Sequence, residues 1–192
     1  MSARRALAIA VRDNIRSILL VKNSLCEVMF DGRPSPRFGT VGGRGSCFYA
    51  VHQGPRSNEL SDPDDQTFCL DYHVIYVTLS MWCGPVPFDR IGTDLIDLQN
   101  TGFDPKMDAL RAMVQKYGQT IRAAANTILG SLVHPITQPL VPSTDEPATA
   151  VDASWFGANP PENSNQLWVF GMKSQLSLVG ARRPQSIEEV TG

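Results

Sequence analysis

Residues 67–83 read TFCLDYHVIYVTLSMWC and carry the clearest β signal of the chain. Val, Ile, Tyr, Phe, Trp and Thr dominate the run, side chains that suit a pleated surface. Alternate positions place Cys69, Ile75, Val77, Leu79 and Met81 on one face, with Asp71 and His73 toward its start. Phe68, Leu70, Tyr72, Val74, Tyr76 and Trp82 fall on the other. Both faces are largely apolar, so the strand is expected to be central. Its two sides would be covered by helices of the same subunit or by a neighbouring chain. At 17 residues it exceeds the usual strand of about 5–6 threefold, and it is expected to project beyond its domain or to bend at a bulge.

On the N-terminal side, Ser46–Gln53 (SCFYAVHQ) reads as a second strand, bounded by Gly42, Gly43 and Gly45, and Arg56–Asp65 (RSNELSDPDD) reads as a polar, acidic loop. Cys26–Phe30 is a short apolar stretch running into the turn signal DGRPSP. Before it, Leu7, Val11, Ile15, Ile18 and Leu19 recur at spacings of three and four, the mark of one amphipathic helix from Ala3 to Val21.

On the C-terminal side, Ile91, Leu95 and Leu98 give a short helical pattern. Asp104-Pro105 has the chemistry of a helix start. Met107, Leu110, Val114, Tyr117, Ile121, Ala124 and Ile128 then form a narrow seam ending at Gly130. Gly118 interrupts the seam without shifting its phase, which predicts a kinked helix or two helices nearly in line. His134–Asn165 holds six prolines and reads as an arm rather than a core element. Gln166–Val179 alternates as a last strand or hairpin, followed by the basic GARRPQ. The expectation is an α+β fold with one domain over residues 1–185, in which a mixed or antiparallel sheet is flanked by helices and a Pro-rich loop spans 134–165. Residues 186–192 form a polar tail.

The 192 residues are 42% hydrophobic and 19% charged, with 17 basic and 19 acidic side chains for a net charge of −2. A core can form, and a broad nucleic-acid-coating face is disfavoured by that balance. Ala6–Val11 is too short for a secretory core and no run reaches the ~20 apolar residues of a membrane span. A soluble cytoplasmic product is therefore expected. Cys26, Cys47, Cys69 and Cys83 form no CxxC pair, so a zinc site is not expected.

Catalytic signatures are equally sparse. His52, His73 and His134 lack metal-ligand spacing, and VGGRGS lacks the lysine and helix of a phosphate loop. Asp62, Asp64 and Asp65 lack the spacing and closing Glu of a calcium loop. Cys69 or Cys83 with His73 is the one pairing that a small hydrolase could use, without the strand-to-helix elbow that exposes a nucleophile. No cofactor is expected. The informative features concern contacts with other chains. Arg33, Arg37 and Arg44 stand against Glu59, Asp62, Asp64 and Asp65 on either side of the Ser46–Gln53 strand, a complementarity suited to head-to-tail neighbours. Val74 and Tyr76 would bury the second face of the long strand, and Trp155 and Phe156 give the arm an aromatic anchor.

Several segments together resemble the neck proteins of long-tailed bacteriophages, in particular tail terminator or head-to-tail joining proteins. They are MFDGRPSP with FYAVHQG, LDYHVIYVTLS, PFDRIGTDLI, AAANTIL and GARRPQ. The resemblance implies a non-enzymatic virion protein, assembled in the host cytoplasm into a homo-hexameric ring at the head–tail interface. Its partners would be the tail tube protein and the head connector, with genomic DNA passing through the lumen without specific binding and no membrane contact. It also leaves room for another neck or head-completion component, or a tail tube subunit.

Overall fold

The computed structural model describes residues 2–20, 24–29, 47–60, 69–86, 91–130, 135–145, 149–152 and 168–182. Its elements are α1 (Ala3–Ile18), β1 (Ser24–Met29), β2 (Cys47–Leu60), β3 (Cys69–Val86), α2 (Ile91–Asp97), a π-helical turn (Leu98–Phe103), α3 (Asp104–Leu129), β4 (Val141–Asp145), β5 (Thr149–Asp152) and β6 (Trp168–Arg182). The sheet order is β1-β2-β3-β6-β4, and β5 also pairs with β6. From β2 to β4 all neighbours are antiparallel, whereas β1 runs parallel to β2. The fold is α+β with a sheet flanked by helices, as the sequence pattern predicts.

β3 is the central strand. Its residues His73, Ile75, Val77, Leu79 and Met81 are all buried. In register with them stand Cys47, Tyr49 and Val51 of β2 and Leu176 and Leu178 of β6, all buried as well. These side chains form one core with α1 and α3, which lie on that face of the sheet. α1 is capped by the Ser2 hydroxyl, which accepts the Arg5 N–H at 3.3 Å. It buries Ala6, Leu7, Ala10, Val11 and Ile15, with alanines letting the helix lie close to its neighbours.

Four features depart from the sequence reading. β2 does not stop at Gln53. A register shift lets Gly54 and Pro55 oppose the single residue Val74, and pairing then resumes from Arg56↔His73 to Leu60↔Cys69. The polar composition of 56–60 reads as loop, but β3 offers a partner ladder there, and a satisfied backbone outweighs weak strand propensity. A second register shift lies between Cys83 and Val86 of β3, the irregularity expected of so long a strand.

α3 does start at Asp104, but a helical run that begins at Ile91 already leads into it. The Asp104 N–H donates to the Gln99 carbonyl across the π turn. Pro105 inside a helix lacks an N–H and crowds the carbonyl four residues back. Here it sits in the first turn of α3, directly after the π turn. α3 continues through Gly118 as one helix and ends at Gly130, whose φ of 78° favours glycine.

The Pro-rich segment is not all excursion. Ile136 and Leu140 are each 1% exposed and belong to the core, and 141–145 and 149–152 are strands on β6. Asn126 of α3 holds this passage by a reciprocal pair. Its Nδ2 donates to the Ile136 carbonyl at 3.0 Å, and its Oδ1 accepts the Ile136 N–H at 2.8 Å. Arg122 donates to the Thr137 carbonyl at 2.7 Å. Where the chain crosses α3, a Cβ on Gly118 would overlap the Leu140 carbonyl oxygen. That crossing explains the glycine in the seam. Finally, Gly180–Arg182 extend β6 rather than follow it, and Arg182 pairs with Asp71.

Candidate functional site

All the sheet side chains in the core cluster belong to the face toward α1 and α3. The opposite face is built by the alternate residues, and the registers align it in rows. Phe48 stands beside Ser80, then Ala50 beside Thr78 and Gln175, then His52 beside Tyr76 and Ser177, and last Val74 beside Val179 and Val141. Exposure grows along this order. Phe48, Ser80 and Ala50 are buried; His52, Tyr76, Ser177, Val74 and Val179 are half-buried; Val141 is 48% exposed. The open end is thus an apolar row of three valines next to a tyrosine, bordered by the bulge at Gly54. In the row of Ala50, Thr78 and Gln175 meet at 3.5 Å. Burial lowers the pKa of His52 below its ordinary 6.5, because desolvation penalises the imidazolium.

A second feature lies on the helix side. The π turn and Met81 frame a cleft of about 270 Å³ lined by Met81, Asp94, Asp97, Leu98, Thr101, Gly102 and Lys106. Asp94 is 1% exposed. The Thr101 hydroxyl donates to the Asp97 carbonyl at 2.6 Å. Gly102 is set against the Met81 methyl, which a Cβ would meet at 3.0 Å. The cleft combines an apolar floor of Met81 and Leu98 with two aspartates, a threonine and a lysine.

Of the residues singled out in the sequence, Val74 and Tyr76 lie on the face of β3 away from α1 and α3, each half-buried. Glu59 belongs to β2, where its backbone stands opposite Leu70, and not to a loop. Arg33, Arg37, Arg44, Asp62, Asp64, Asp65, Trp155 and Phe156 lie outside the described residues. Cys69 and Cys83 are positions of β3, while His73 is 3% exposed, away from any open surface. Cys26 and Cys47 are buried thiols that form no disulfide. They flank Tyr49, whose phenol is raised above its ordinary pKa chiefly by burial and then by those two thiols. Among the described residues no group of three or more His, Cys, Asp or Glu comes together to hold a metal ion. No described helix is long and apolar enough to cross a membrane.

Sequence reasoning missed Val141 and Val179 as members of the open face. Their signal is a register across β3, β6 and β4, which one strand's alternation does not contain. It also missed Arg4 and Arg16, which lie off the apolar stripe of the amphipathic helix. Both reach the sheet, Arg4 donating to the Gly54 carbonyl at 2.9 Å and Arg16 to the Cys26 carbonyl at 2.8 Å. No family model matches the chain, and no curated protein is detectably similar to it.

Proposed function

We propose that the protein is a virion structural subunit that assembles into a ring at the head–tail junction of a long-tailed bacteriophage, as a tail terminator or neck protein. The observation that carries the reading is the open end of the second sheet face, where Val74, Val179 and Val141 align beside Tyr76. Apolar area of this kind gains about 25 cal/mol per Å² when a neighbour covers it, and a ring supplies a neighbour to every copy. The resemblance of the segments around β2, β3, α2 and α3 to neck proteins supplies the biological setting.

In this reading Arg33, Arg37 and Arg44 of one subunit meet Glu59, Asp62, Asp64 and Asp65 of the next. The arm around Trp155 and Phe156 docks on the tail tube or the head connector. No chemistry is asked of the chain, and DNA passes through the lumen. The test is the mass of the purified protein by light scattering, together with the outline of the particle by electron microscopy. A hexamer with a central opening is expected from the parent, and Tyr76→Asp or Val74→Asp should reduce it to smaller species. A parent that stays monomeric at high concentration, or two variants that assemble as the parent does, overturns the reading.

A further inference from the structure

The bulge in β2 is more than an irregularity, because four observations converge on it. Two residues, Gly54 and Pro55, oppose one, Val74. Pro55 has no N–H to give to the ladder. Gly54 is seated on the other strand so tightly that a Cβ would lie 2.8 Å from the Val74 carbonyl oxygen and 2.9 Å from its Cβ. The Gly54 carbonyl accepts from the Arg4 guanidinium, in the first turn of α1, at 2.9 Å.

Bulges of this kind bend the strand that carries them and sharpen its twist. Beyond this one, β2 and β3 continue together as a ribbon, Arg56–Leu60 against Cys69–His73. β6 accompanies them only as far as the pair Asp71↔Arg182. The last two pairs, Glu59↔Leu70 and Leu60↔Cys69, are two-stranded among the described residues.

We propose that this ribbon is an arm that pivots at Gly54–Pro55, and that Arg4 is the latch that fixes its angle. Two arginine side chains of α1 bond the sheet backbone, one at each end of the helix. Arg16 holds β1 at the Cys26 carbonyl, and Arg4 holds β2 at the pivot. The glycine allows the backbones to approach and the proline keeps the pivot out of the ladder. The guanidinium is the polar partner that the buried Gly54 carbonyl requires. Arg4 is a positioning residue, and whatever displaces the first turn of α1 releases the arm. The inference concerns the chain itself and stands whether or not the protein forms a ring.

Hydrogen exchange on the full-length protein tests it. Arg4→Ala is expected to speed exchange of the amides in 56–60 and 69–73 about tenfold, the loss of one part-buried hydrogen bond. The amides of Val77–Met81 should keep their rates. Arg4→Lys, which retains one donor, should restore most of the protection, and Arg16→Ala should loosen β1 and leave the arm as it was. If Arg4→Ala does not fold, Arg4→Met against Arg4→Lys reads the same contrast, with the arm protected in Lys alone. Exchange that rises equally everywhere in the Arg4 variants, or an arm that exchanges at the parent's rate, overturns the latch.

Discussion

Gly118 and His52 show how single positions are set by neighbours remote in sequence. In an isolated helix, replacing glycine by alanine stabilises by about 1 kcal/mol. At Gly118 the sign should reverse, because the added Cβ meets the backbone carbonyl of Leu140 and not a side chain that can swing away. Gly118→Ala is expected to cost about 1–3 kcal/mol, as overpacking does. That is a fall in Tm of roughly 2–4 °C per kcal/mol for a chain of this size, and calorimetry would read it. An unchanged or higher Tm would place the crossing chain farther from α3.

His52 links the second face to pH. Its folded pKa lies below the unfolded value of 6.5 because burial disfavours the charged ring, so the folded state binds the proton less readily. Its contribution to stability is complete above about 6.5 and is lost as the pH falls from there through the folded pKa. Denaturant titrations of the parent should show this acid-side loss, and His52→Gln should flatten it.

Among the elements, the docking of the chain after α3 depends on Asn126 as a substitute strand, donating to and accepting from the same residue, Ile136. Asn126→Leu removes both bonds and leaves the Ile136 N–H and C=O to find other partners. At about 1 kcal/mol for each neutral bond, a loss near 2 kcal/mol is expected in equilibrium unfolding. A loss below about 0.5 kcal/mol would mean that the buried Ile136 and Leu140 side chains alone hold the segment.

What the sequence makes legible at this scale follows from periodicity. β3, α1 and the seam of α3 were readable because their burial repeats every two residues or every three to four, and the core face of β3 is the one that alternation selects. The extension of β2 past Pro55 was not readable, because its polar residues are held by a partner strand and not by their own preference. The π turn was hidden for a related reason. Asp104-Pro105 has the chemistry of a beginning and does begin α3, but nothing in those two residues tells that a helical run already precedes them. Ile136 and Leu140 are isolated apolar residues among prolines, so their burial depends on the crossing at Gly118. The open face was half legible, Val74 and Tyr76 from alternation but Val141 and Val179 only from register.

For the whole molecule, the ring reading makes two further demands. Reversing Arg33, Arg37 and Arg44 to Glu should weaken assembly at low salt, and reversing Glu59, Asp62, Asp64 and Asp65 to Lys as well should partly restore it. Each exposed pair contributes at most about 1 kcal/mol and is screened by salt. An arginine variant that assembles like the parent at low salt removes that interface. A conduit should also leave DNA free to slide, since every neutralised phosphate adds affinity that retards passage. With a net charge of −2, the intact protein is expected to give no sequence-dependent gel shift. A salt-resistant, sequence-dependent shift would point instead to a DNA-binding regulator.

The pairing of β3 with β6 sets the order in which the chain can complete itself during translation. Thr78 and Gln175, neighbours across that pair, are 97 positions apart. At about 5–20 residues per second, the ribosome takes roughly 5–20 seconds to deliver β6 after β3 has been made. Throughout that interval the long apolar strand has β2 on one edge and no β6 on the other, a template to which a second nascent chain could pair. Stalled or truncated products ending before Trp168 should therefore aggregate and depend on chaperones. The vulnerable period of this protein's life falls before its last strand has been synthesised.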